Sequence, residues 1–192
     1  MFLKFHRLWS RATARAFTAL ARGGFRAFGR KSVIVPPLRI GGEDRISVGS
    51  GVFIGSDSWL QHMDGGSPGD AEVIQIGDGA SIAGHCTITA CRSVVLEDNV
   101  LLARHVYISD HSHEFCDPHT PIKDQGITGV APVRIKQGAW LGQGVVVCPG
   151  VTIGQNAVIG ANSVVREDVP DHCVAVGAPA RVVRKIQERE TA

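Results

Sequence analysis

The tract Ile108-Ser109-Asp110-His111-Ser112-His113-Glu114-Phe115 sets two histidines beside two carboxylates. Histidine is the side chain best suited to take and return a proton near neutral pH, so His113 and His111 are the candidate general bases. A neighbouring carboxylate can orient an imidazole and stabilise its cation, which makes Asp110 and Glu114 the candidate partners. The sequence does not choose between them. A base of this kind could draw the proton from a hydroxyl as its oxygen attacks an electrophilic centre. No covalent serine or cysteine intermediate is needed if two substrates meet in one groove, because positioning supplies much of the rate. Two other residues stand out. His85 lies in the run His85-Cys86-Thr87-Ile88, and Trp140 precedes an aliphatic of the repeat described next, so its indole is expected to point outward.

These residues are set on a six-residue beat. Counting in sixes from Ile135 gives Leu141, Val147, Ile153, Ile159 and Val165, and four positions after Ile135 and each of its next four repeats stand Ala139, Val145, Val151, Ala157 and Ser163. Earlier runs are Ile34, Ile40 and Ile46; Val48, Ile54 and Leu60; Ile76, Ile82, Ile88 and Val94; and Leu96, Leu102 and Ile108. A helix repeats its apolar face every three to four residues and a strand every two. A period of six fits a short strand and a turn, wound as a parallel β-solenoid whose coils pair with their neighbours. Two segments break the beat and must leave the wall: 61–72, rich in Gly, Pro and Asp, and 109–132, long and polar. The beat stops just before the histidine tract.

The pattern resembles the hexapeptide-repeat acyltransferases, which are left-handed parallel β-helices, and the resemblance covers roughly residues 34 to 186. The closing run Gly177-Ala178-Pro179-Ala180-Arg181 is similar to the C-terminal signature of members that use acetyl-coenzyme A. The resemblance implies an all-β domain over 33–186; the residues themselves add a helical arm over 1–32, a short basic capping helix that carries Arg181 and Lys185, and a tail over 187–192 in which it ends. It implies acetyl-coenzyme A as co-substrate, no metal, a homotrimer, and a sugar or glycan acceptor. Counting as in the maltose and galactoside O-acetyltransferases favours His113 over His111. Those enzymes have an Asn where His85 stands, so His85 is expected at the acceptor end but a simple maltose-like sugar does not carry over. Asp110 and Glu114 belong to the same acceptor side. Trp140, Gly142, Gly160 and Ala161 are expected along the coenzyme groove, with small residues admitting the pantetheine chain. Arg181 and Lys185 are expected at the coenzyme phosphates.

The 192 residues are enough for one substantial domain. Formal net charge is only +2, yet no Asp or Glu occurs from Met1 to Gly42, while Lys4, Arg7, Arg11, Arg15, Arg22 and Arg26 fall in one band of a helical wheel. Phe2, Phe5, Trp9, Ala12, Ala16 and Leu20 fall on another, which reads as a basic amphipathic helix ended by Gly23-Gly24. Contact with an anionic membrane, packing on the first coil or a subunit seam, and a transit peptide all want this pattern. Recurrent charge excludes a membrane span and a secretory signal, and the absence of a binding motif speaks against nucleic acid. Five cysteines without a CxxC pair fit reduced thiols in a cytoplasmic protein.

The leading expectation is an acetyl-coenzyme A-dependent O-acetyltransferase acting on a sugar hydroxyl in surface polysaccharide or lipid-linked glycan synthesis, at the inner face of the membrane. N-acetylation of an amino sugar or amino acid uses the same base. Two other classes compete: a zinc lyase resembling γ-class carbonic anhydrases, drawing on His85, His105, His111 and His113, and a non-catalytic solenoid scaffold.

Overall fold

In the computed structural model, which describes residues 2–64 and 71–187, the beat becomes a left-handed parallel β-helix of three sides. One coil shows the plan. Val94–Leu96 forms side A, Leu101–Leu102 side B and Tyr107–Ser109 side C. Each strand pairs in parallel with its equivalents one coil before and after, so Ile82, Leu102 and Leu141 share one register on side B and Ile88, Ile108 and Val147 share another on side C. These aliphatics are fully buried and form the continuous core. At ~25 cal/mol per Å² of apolar surface removed from water, such ladders supply the main stabilisation. The fourth-position residues Ala139, Val145, Ala157 and Ser163 are buried too. Ser163 is the polar exception, and its Oγ accepts the Gly177 amide at 3.0 Å.

The two-residue slip in the early beat has a physical cause. Side A strands Ile46–Val48, Ile74–Ile76 and Val94–Leu96 carry a buried residue at each end and a half-buried one between. Ile46 and Val48 thus both point inward on one longer strand, and the register continues as Val48 to Ile76 to Leu96. Coil edges are also tied by carboxylates that accept amides from adjacent coils. Asp78 accepts the Ser50 N–H (2.7 Å), Asp98 that of Asp78 (2.8 Å), Glu97 that of Gln137 (2.9 Å) and Asp171 that of Gln155 (2.8 Å).

The first interruption follows strand Ser58–His62, and the chain rejoins side A at Ile74–Ile76. Its turn-rich centre, 65–70, lies outside the described residues. The second interruption has its own structure: Ser112–His113 pairs antiparallel with Ile127–Thr128, and a 3-10 turn covers Ile122–Asp124. Gln125 ties it by donating to the carbonyls of Asp117 and Thr120.

The amphipathic helix runs from Phe2 to Ala21 and gives way to a 3-10 turn at Arg22–Gly24. Only its second half docks. Ala14 and Thr18 are buried, Phe17 and Ala21 pack on the core, and Thr18 Oγ1 accepts the Ile34 amide at 2.9 Å, covering the first coil. At the other end, Cys173–Gly177 and Ala180–Lys185 form an antiparallel hairpin on side B. Arg181 and Lys185 therefore sit on a strand. The basic helix expected to carry them and to end in 187–192 is thus a strand over Ala180–Lys185, paired into the hairpin that covers side B, and residues 188–192 lie outside the described residues.

Candidate active site

The chain leaves side C immediately after Ser109, at the corner with side A, and the next residue is held in place by an earlier coil. Asp110 is fully buried. Its Oδ1 accepts the Cys91 N–H at 2.8 Å, and its Oδ2 accepts those of Arg92 (2.7 Å) and Ser93 (2.8 Å), the turn that joins sides C and A one coil before. His111 Nδ1 lies 2.8 Å from Asp110 Oδ1. Burial alone would raise the Asp110 carboxyl, but the His111 contact and the three amides outweigh it and hold the group below its ordinary value. It is therefore an anion, and an anion only accepts, so the hydrogen of neutral His111 sits on Nδ1. Nε2 is left as a lone-pair acceptor. Ser109 fixes the turn further, its Oγ donating to the His111 carbonyl at 2.9 Å and accepting the His111 amide at 3.2 Å.

His111 is nearly enclosed, its side chain 9% exposed, and it lines a cavity of about 240 Å³ with Tyr107, Ser109, Ser112, His113, Val146, Cys148 and Pro149. His113 shares that cavity but stands exposed on the Ser112–His113 hairpin strand. Glu114 turns away into its own loop. Its carboxylate accepts the amides of Phe115 and Cys116, and together with the Cys116 thiol these hold it at about 2. Asp110, not Glu114, is the group that meets an imidazole, and the imidazole it meets is His111.

A larger open groove of about 520 Å³ runs along side A past Gln75, Glu97, Arg134 and Gln137. Two of its charges pair, Arg134 bonding Glu97 at 2.6 Å, and no imidazole or thiol is among its lining residues. The chemistry points to the smaller cavity.

The other candidates do not converge on His111 within one chain. His85 and His105 occupy left-handed turn positions at the corner between sides B and C, their rings stacked with centroids 4.9 Å apart and Asp57 3.6 Å from His85 Nε2. Strand Thr87–Ala90 separates that corner from Cys91, a span of roughly 15 Å or more at ~3.3 Å per residue. The four histidines thus do not form one metal site. Among the described residues Cys91, Asp110 and His111 do lie within 4.8 Å of one another, but the donor set does not suit a cation. The carboxylate is already filled by amides, and burial with the Asp110 charge pushes the Cys91 thiol up to about 11.

Trp140 points outward as expected, 47% exposed, but on side B, where it continues a column with Phe53 and Leu101. It does not line the His111 cavity. Gly142 and Gly160 have an internal reason to be small. A Cβ on Gly142 would lie 2.7 Å from Ala161 N and one on Gly160 2.7 Å from Val176 Cγ1, so packing between coils by itself accounts for both glycines. Ala161 is exposed at a turn. Arg181 lies 3.4 Å from Glu167, and Lys185 is exposed. Sequence reading missed Ser109 and the Cys91–Ser93 amides, whose only signal is proximity across a coil. Cys148, which the sequence offers as a structural thiol within a repeat, lines the cavity instead because it stands outside the inward ladder, one residue after Val147. None of the five cysteines is joined in a disulfide.

The family model for bacterial transferase hexapeptide (six repeats) matches residues 132–167. The chain is 36% identical over 143 residues to the "Probable acetyltransferase Rv3034c" of Mycobacterium tuberculosis, covering 74% of this chain and 45% of that protein. It is 36% identical over 104 residues to the galactoside O-acetyltransferase of Escherichia coli K12, covering 54% of this chain and 50% of the relative. It thus spans about half the length of these curated relatives. The crystal structure of a maltose O-acetyltransferase from Clostridium difficile 630 superposes with a TM-score of 0.54 at 30% identity, covering 86% of this chain and 71% of that one.

Proposed function

Because the chain belongs to the hexapeptide-repeat acyltransferase family, we propose that it transfers an acetyl group from acetyl-coenzyme A to a sugar hydroxyl, with His111 as the base. The observation that carries this reading is the buried Asp110–His111 pair opening on a cavity where the repeat breaks. His111 Nε2 takes the hydroxyl proton as the oxygen attacks the thioester carbonyl. The tetrahedral intermediate collapses, the carbon–sulfur bond breaks, and the imidazolium returns the proton to the departing thiolate. Asp110 stabilises the cation in between. An amine acceptor would use the same base. The hydroxyl is preferred because the relatives named above as acting on a galactoside and on maltose are O-acetyltransferases.

The coenzyme side of this reading rests on Trp140, Ala161, Arg181 and Lys185. The exposed apolar residues Leu101 and Trp140, with Phe53 beyond Ser81 in the same register, suit burial against another copy, so we place the coenzyme at the seam of a homotrimer, one protomer giving the indole and its partner the base. His85 would join the acceptor only across such a seam. A coenzyme A donor and cysteines outside any disulfide fit a cytoplasmic setting. A lipid-linked glycan intermediate is the acceptor class preferred for a protein with so basic a helix.

The test is thiol release from acetyl-coenzyme A against a panel of sugars and glycans. His111→Ala is expected to lower turnover by about 10²–10⁴-fold, and His113→Ala by less than about tenfold. Undiminished turnover in His111→Ala would sink the assignment. Loss confined to His113→Ala would return the base to that residue.

A further inference from the structure

Helix Phe2–Ala21 carries a face that its own chain leaves uncovered. At 100° per residue, the docked residues Ala14, Phe17, Thr18 and Ala21 share one side of the helix. Phe2, Phe5, Trp9 and Leu20 lie on the opposite side, away from the solenoid. Trp9 is 62% exposed and Leu20 87%, and the Phe5 and Trp9 rings stack at 6.4 Å. Residues 2–12 touch the body so little that every one is exposed. Between the docked side and the aromatic stripe run Lys4, Arg11 and Arg15, Arg7 lies in line with the docked side one turn and more ahead of it, and no acidic residue occurs in the first forty-two positions. Underneath, a crevice of about 500 Å³ has an apolar floor of Val33, Val35 and Phe53 and the side chains of Arg11 and Arg15 along it.

We propose that this helix docks the protein flat on an anionic lipid bilayer. The aromatic stripe enters the interface while the basic band meets headgroup phosphates. Trp and Phe on one face with Lys and Arg beside them is the chemistry of a helix lying in the interfacial plane. The helix is not long and apolar enough to cross a membrane, so it rests at the surface. A second copy of this chain fits the face less well. Interface cores are depleted of charge, and a twofold contact would bring two acid-free, like-charged helices together. The proposal is independent of acetyl transfer, because vesicle binding requires no turnover.

The experiment is co-sedimentation of the full chain with phosphatidylcholine vesicles, with and without phosphatidylserine, over a salt series. Binding is expected only with phosphatidylserine and weakens as salt rises. Phe5→Ser/Trp9→Ser is expected to reduce apparent affinity by at least about tenfold, from the apolar area withdrawn. Arg7→Glu/Arg11→Glu is expected to remove the salt-dependent part. All four residues are exposed, so helix content by circular dichroism and molecular mass by light scattering should hold in both variants. Three results would overturn the proposal: no binding by the wild type, binding unchanged in both variants, or a change of oligomeric mass in Phe5→Ser/Trp9→Ser, which would make the face a seam between copies. Vesicle binding by an enzyme without acetyltransferase activity would leave it standing.

Discussion

Asp110 has both carboxylate oxygens engaged before any substrate arrives. Three amides from the preceding coil fix its position, and it in turn fixes the tautomer and orientation of His111. Asp110→Asn keeps the shape but places an NH₂ donor among groups that all donate. We expect a loss of about 1–3 kcal/mol in stability from the unmatched donors, and a fall in kcat of about 10²–10⁴-fold with little change in KM as the ring loses its tautomer. Thermal melts and steady-state kinetics on the folded fraction separate the two effects. A destabilised variant with wild-type kcat would reduce Asp110 to a structural role. The histidine tract was legible in the sequence, but the choice within it was not. Family counting favoured His113, whereas the geometry favours His111, and what distinguishes them is a set of hydrogen bonds to residues 17 to 19 positions earlier. Spacing along the chain carries no trace of that contact.

Among the elements, the inward ladders were legible almost to the residue, because a six-residue period admits one way to bury every aliphatic. The early slip was legible as a break but not as a longer side A strand, since a second inward residue two positions on reads as a change of phase. The coenzyme residues were less readable. Smallness at Gly142 satisfies either a ligand or a neighbouring coil, and the structure supplies the coil. We therefore expect Gly142→Ala to cost about 1–3 kcal/mol in overpacking against Ala161 N and Ile159 O, while KM for acetyl-coenzyme A stays unchanged. Chemical denaturation alongside a coenzyme titration checks it. A KM raised several-fold at unchanged stability would restore the ligand reading. Trp140 shows the same limit, because outward orientation follows from its place in the repeat but the side it faces depends on counting whole coils.

For the whole molecule, the carboxylates that link coil to coil make stability depend on pH in a definite sense. Burial would raise the Glu97 carboxyl, yet Arg134 and the Gln137 amide hold it below its ordinary value. The Gln155 amide, then Lys136, does the same for Asp171. Asp110 is lowered as well, by His111 and the three amides against its burial. A carboxyl whose folded value lies below its unfolded one binds fewer protons when folded. Its contribution is complete above the unfolded value, about 4 for these groups, and is lost as pH falls through the folded value. These ties recur along the solenoid and each coil leans on its neighbours, so their loss should be cooperative. We expect the melting temperature to be flat from neutral pH down to about 5 and to fall steeply below about 4. Glu97→Gln should be less stable than the wild type at neutral pH and should lose less on acidification, the two curves converging in acid. Parallel melting curves for the two proteins across that range would show that the coils are held by their apolar ladders alone.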